Sequence, residues 1–162
     1  MRKVLAADER LTLSEFVLET ILEWNLGPKA QRHGGVRFRE RAELAAEIAL
    51  VMSLLAHAGG GGGGAGVAKT AFDKGRDVLA MPALALAATD ALQLSRVSAA
   101  LERLGGLAPL EKERVIAAFA ATVEADGNVK LMEHELLRAV ACALDCPMPP
   151  AVAVLDPRLL RK

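Results

Sequence analysis

Apolar residues recur along this chain at intervals of three and four, the spacing of one face of an α-helix, and no window alternates apolar with polar residues as a half-buried strand would. The pattern predicts a first helix over about Leu13–Leu26, with Phe16, Val17, Ile21 and Trp24 on one side and Gly27-Pro28 as its stop. After the basic stretch RHGGVRFRER it predicts a second over about Arg39–Ala58, whose C-terminal half is apolar nearly all round and therefore central in the core. Further helices are predicted over about Val67–Ala80, as two shorter pieces within Pro82–Leu104, over about Pro109–Ala125 and over Leu131–Leu144. The fold class that follows is all-α, a compact bundle of about six to seven helices. One domain covers residues 1–150, with a glycine-rich internal loop at 59–66, and a C-terminal tail covers 151–162.

Composition narrows what such a bundle does. With 162 residues and 52% of them apolar, the chain is long enough to bury a core of its own. Lys plus Arg number 20 and Asp plus Glu number 20, so no net field draws it to nucleic acid, and with no Tyr it has few platforms on which bases could stack. The apolar runs IALVMSLLAHA and VLAMPALALAATDAL fall short of the roughly twenty residues that span a bilayer, and the opening MRKVLAADERL has charges where a secretory signal would be apolar.

Several motifs suggest chemistry and then fail a physical requirement. His134-Glu135 begins like the zinc-peptidase motif H-E-x-x-H, but the position one turn later is Arg138, a permanent cation where a second imidazole is needed. His33 and His57 lie in unrelated segments without acidic neighbours. GGAGVAKT departs from the phosphate-loop pattern only in having Ala68 for the last Gly, yet a helix rather than a buried strand is predicted before it, so a flexible connection is expected and no nucleotide. Arg32, Arg37, Arg39 and Arg41 could meet anionic headgroups, with a solvated loop as the expectation. Cys142 and Cys146, the only thiols, are expected to be small buried hydrophobes rather than half of a metal site. No catalytic constellation stands out.

The most informative feature is an internal echo. AADERLTLSEFVLETIL aligns without a gap to EADGNVKLMEHELLRAV, matching Asp8 with Asp126, Leu11 with Val129, Leu13 with Leu131, Glu15 with Glu133 and Leu18 with Leu136. In the first copy Thr12 is placed to be an N-cap, with Glu15 reaching back to its amide and Leu11 stapled to Phe16. In the second, Asp126-Gly127 turns the chain and Lys130 stands where Thr12 would, so Glu133 lacks a reciprocal hydroxyl. An EF-hand is excluded, because Lys130 and Leu137 fall on ligand positions. Two readings stay open: caps and turns, which is the expectation, or one divalent cation shared by Asp8, Glu15, Asp126 and Glu133.

The segment LAPLEKERVIAAFAATVEADGNVKLMEHELLRAVACALDCPMPP resembles the C-terminal cytoplasmic part of bacterial membrane-embedded zinc metallopeptidases of the HtpX-like group, where a LAP turn, a long helix into ADG, a Glu-bearing helix and a CPMPP ending recur. SLLAHAG followed by AFDKG is similar to their middle portion. The paired Asp-to-Glu motifs are similar to those of TerB-like helical modules, compact domains thought to bind metal or mediate interactions through such acids. The resemblance implies a non-catalytic regulatory or interaction domain on the cytoplasmic side of the inner membrane. It implies protein partners, namely the parent protease or its substrates, with contact to the membrane and zinc only through the parent. A free-standing TerB-like ion-binding or stress-response protein is the alternative. Lys130, and Glu9-Arg10 in place of a Gly-containing turn, depart from the acidic motif.

Overall fold

The computed structural model describes residues 6–27, 35–59 and 64–149, with side chains from residue 13 onward. Pro28, Arg32, His33, the side chains of Asp8, Leu11 and Thr12, and the tail at 151–162 lie outside the described residues. Six α-helices are found among them: α1 (Ala6–Asn25), α2 (Ala45–Gly59), α3 (Ala65–Leu79), α4 (Leu94–Leu104), α5 (Pro109–Val123) and α6 (Leu131–Ala143). A 3-10 turn at Arg41–Leu44 leads into α2, and another at Thr89–Ala91 precedes α4. No strand forms among the described residues. One isolated bridge joins Phe38 to Leu107.

Helix α2 is the axis of the bundle and packs against α3, α4, α5 and α6. Its Ile48, Val51, Met52 and Leu55 are fully buried, as its all-round apolar sequence requires. The span Arg41–Gly59 is long and apolar enough to cross a membrane, contrary to the expectation that no run sufficed; here 44% of it is buried within the bundle. Helix α3 lies along α5 in the most extensive helix pair, and α1 lies on α6. Phe16 and Val17 carry the buried side of α1, with Ile21 and Trp24 partly buried beside them, the face expected from the spacing.

Two local expectations are corrected. Helix α1 begins at Ala6, so Thr12 sits inside it and its amide belongs to the helical ladder instead of a capping box with Glu15. The stretch from Ala6 to Leu11 has good helix formers and no Gly or Pro, so nothing stops the helix there. The second copy does break: Gly127 takes φ +74°, and Asp126 Oδ1 accepts the Asn128 amide at 2.9 Å. One sequence echo therefore covers an unbroken helix in one copy and a turn followed by a helix in the other.

Within Pro82–Leu104 one α-helix forms, not two. Ala80 is left-handed at φ 52°, Pro82 follows, and the chain crosses α2 without helical structure until Thr89. Side chains of α2 replace the missing helical bonds. Ser53 Oγ donates to Ala49 O at 2.6 Å and accepts the Ala87 amide at 2.9 Å, and His57 Nε2 donates to Ala87 O at 2.9 Å.

The basic stretch is an exposed loop over most of its described part, as expected, and it is anchored to the bundle at a few points. The amides of Arg37 and Phe38 donate to Gly106 O at 2.8 and 3.0 Å, and the guanidinium groups of Arg37 and Arg103 flank the Phe38 ring at 5.9 and 5.3 Å. Arg41 donates to Glu111 Oε2 at 2.8 Å and to Leu79 O at 3.2 Å, tying the start of α2 to α5 and the end of α3. Those guanidinium bonds hold the Glu111 carboxyl below its usual range. Arg37 and Arg39 are exposed and Arg41 is half-buried.

Candidate functional site

The C-terminal ends of α2 and α5 and the N-terminal ends of α3 and α6 leave a cavity of about 390 Å³ between them. Its walls are apolar and small, including Ala56, Val67, Ala71 and Val123, and its polar end carries Asp126 and Glu133. Small side chains leave the space open: Gly66 faces it with nothing within 4 Å of where a Cβ would stand. The six glycines of the internal loop begin at its edge, with Gly59.

Glu133 is 3% exposed, an unusual position for a carboxylate. It sits at the third residue of α6, and its Oε2 accepts the Lys130 amide at 2.8 Å, capping the helix from within. The capping box is one-sided, since an ammonium has donors only and Lys130 cannot accept in return. Lys130 Nζ donates instead to Gly59 O at 2.9 Å, closing the C-terminal end of α2. Gly59 has to be glycine for this arrangement, because a Cβ there would overlap Glu133 Oε1. Burial pushes the Glu133 carboxyl up from the usual 4.5, the Lys130 amide opposes that, and the Asp126 charge adds to it.

A pH dependence follows, and its sign is fixed. A carboxyl whose folded pKa lies above its unfolded value contributes stability that is fully present below about 4.5 and is lost as pH rises through the folded value. Urea midpoints of the wild type are therefore expected to fall relative to those of Glu133→Gln as pH is raised from about 4.5 toward neutrality, since Gln still serves as the capping acceptor without a charge to bury. A difference that does not vary with pH would show that Glu133 titrates normally.

The structure brings together two of the four acids proposed to share a cation. Asp126 and Glu133 line one cavity, while the exposed Glu15 lines another, of about 230 Å³, with Glu19, Glu23 and residues of α4. The Asp8 side chain is not described. Among the described residues no group of three or more His, Cys, Asp or Glu is gathered so as to hold a metal ion. Helices α1 and α6 do adjoin, and at their C-terminal ends Asn25 Nδ2 donates to Cys142 Sγ at 3.2 Å.

The other candidate groups are held elsewhere. His134 is 8% exposed, its Nδ1 3.5 Å from Glu135 Oε1, and Arg138 lies on the same Glu135 at 3.6 Å. Cys142 and Cys146 are free thiols and half-buried rather than fully buried; burial pushes both up, away from the thiolate. Lys69 pairs with Asp73 at 3.0 Å, the Thr70 hydroxyl donates to Gly66 O at 3.0 Å, and helix α2 precedes the glycines. The walls of the cavity carried no signal in the sequence: Ala56, Val67 and Ala71 look like any helical positions, and the second role of Lys130 needs the end of a distant helix. Compared with protein-family models, with curated proteins and with solved structures, the chain matches none.

Proposed function

We propose that this chain is a non-catalytic interaction domain that regulates a membrane-associated zinc metallopeptidase from the cytoplasmic side of the bacterial inner membrane, binding the parent protease or its substrates. The observation that carries the interaction role is the outer face of α1. Leu18, Leu22 and Leu26 are 61%, 54% and 81% exposed and follow one another at four-residue spacing, an apolar row that the described residues leave largely open. Glu15 and Glu19 are exposed beside it. Contiguous apolar exposure rimmed by charge is the usual mark of a protein-binding face. The assignment to a protease rests on the likeness of LAPLEKERV through CPMPP to the HtpX-like peptidases. Asp126 and Glu133 sharing one cavity is the feature that favours the second reading, a free-standing TerB-like ion-binding protein.

In the intact parent, Leu22→Glu is expected to slow substrate degradation by about tenfold, the effect of losing one anchor contact of about 1.4 kcal/mol. The isolated domain should keep its stability within about 0.5 kcal/mol, since Leu22 is a surface position. Unchanged degradation would remove α1 from the interaction. A coding region that lacks an upstream H-E-x-x-H and membrane-spanning helices would overturn the protease assignment itself.

A further inference from the structure

We propose that the cavity between α2, α3, α5 and α6 is a binding site for a small organic ammonium ligand, with an apolar body against Ala56, Val67, Ala71 and Val123 and its charged head on Glu133 and Asp126. The inference is independent of the α1 face. Its volume, about 390 Å³, lies within the ~300–1,000 Å³ typical of small-molecule pockets, and its lining has their usual form of apolar walls with a few convergent polar groups.

The polar end is what selects the ligand. Glu133 is buried, yet only one hydrogen bond among the described residues reaches it, from the Lys130 amide to Oε2. A carboxylate offers about four acceptor positions, so most of its capacity is unused. Asp126, exposed at the rim, receives the Asn128 amide on Oδ1. Neither acid has an ion-pair partner among the described residues. The two lysines at this end turn their ammonium groups to backbone carbonyls, Lys130 to Gly59 O at 2.9 Å and Lys74 to Ala125 O at 2.5 Å. Among the described residues, therefore, no ammonium or guanidinium bonds either acid, and the nearest cation, Lys130, acts on Glu133 only through space while its head is held on Gly59 O.

A buried or half-buried carboxylate is stabilised by a cation that also donates hydrogen bonds. A dication fits poorly, because calcium takes six to eight oxygen ligands, whereas the walls are mostly Ala, Val and Gly and their two hydroxyls, of Thr70 and Thr122, are turned to Gly66 O and Ala118 O. A primary ammonium supplies the charge and three donors, and an attached alkyl or ring body covers the apolar walls. A quaternary ammonium brings the charge without a donor for Glu133.

The test uses the full chain with n-hexylammonium as probe, against n-hexanol, hexanoate and hexyltrimethylammonium, by calorimetric titration and ligand-observed NMR. The ammonium is expected to bind tighter than the alcohol by about tenfold or more, the scale of a charge-assisted hydrogen bond, and hexanoate is expected not to bind. Glu133→Gln should reduce ammonium binding to the level of the alcohol while keeping the fold, because Gln retains the capping bond. Gly66→Leu, which places a side chain into open space at the cavity wall, should abolish binding of both. Equal binding of ammonium and alcohol, full ammonium affinity in either variant, no ammonium binding at millimolar concentration, or displacement of the ammonium by calcium at lower concentration would each overturn the proposal.

Discussion

Gly75→Leu is expected to cost the bundle more than about 3 kcal/mol, the upper range for forcing extra atoms into a packed interior. Gly75 lies on α3 where that helix rests on α5. A Cβ there would overlap Thr122 Oγ1 and stand 2.9 Å from Ala118 O and 3.1 Å from Met52 Sδ. Even Gly75→Ala should lose stability, although Ala is favoured over Gly within a helix by about 1 kcal/mol. The backbone carbonyl of Ala118 cannot rotate away, and the Thr122 hydroxyl is held by its own bond to that carbonyl at 3.0 Å. Thr122→Ala should relieve Gly75→Ala in part, which a double-mutant cycle on urea unfolding would read as a favourable coupling. If Gly75→Ala proved more stable than the wild type, the α3–α5 contact would have to be looser than these distances make it.

Phe119→Ala is expected to cost about 3–5 kcal/mol, a large part of the ~5–15 kcal/mol that holds a domain of this kind together. The Phe119 ring is fully buried on α5, which packs against both α3 and α2, so removing it leaves a void bounded by helices already fixed by other contacts. The midpoint should fall with little change in the dependence on urea concentration. Leu110, on the same helix but 70% exposed, provides the control, and Leu110→Ala should stay within about 0.5 kcal/mol. A loss below about 1 kcal/mol at Phe119 would show that the surrounding helices close onto the gap.

Helices were legible wherever spacing and punctuation agreed. Pro109 opens α5, Gly127 separates α5 from α6, and the apolar half of the second predicted helix became the buried axis α2. Expectation failed where a distant group took over the satisfaction of the backbone. The stretch after Pro82 reads as helical because Ala and Leu fill it, yet Ser53 and His57 of α2 serve the peptide groups of Ala87 that a helix would otherwise have served. The bridge from Phe38 to Leu107 is similar, a short pairing of backbone segments about seventy residues apart that no local pattern announces.

The sequence by itself determined the all-helical class, the placement of the central helix and the lack of a second imidazole beside His134, because each depends on residue type and local period. It also marked Asp126 and Glu133 as a pair of interest. Only the tertiary structure decided their surroundings. It set Glu133 against Gly59, turned Lys130 to the end of α2, put Glu15 in another cavity and left the space beside Ala56 and Ala71 open. The physical reason is that burial, and with it the charge state and free bonding capacity of a carboxylate, is a property of the surroundings that four helices create together.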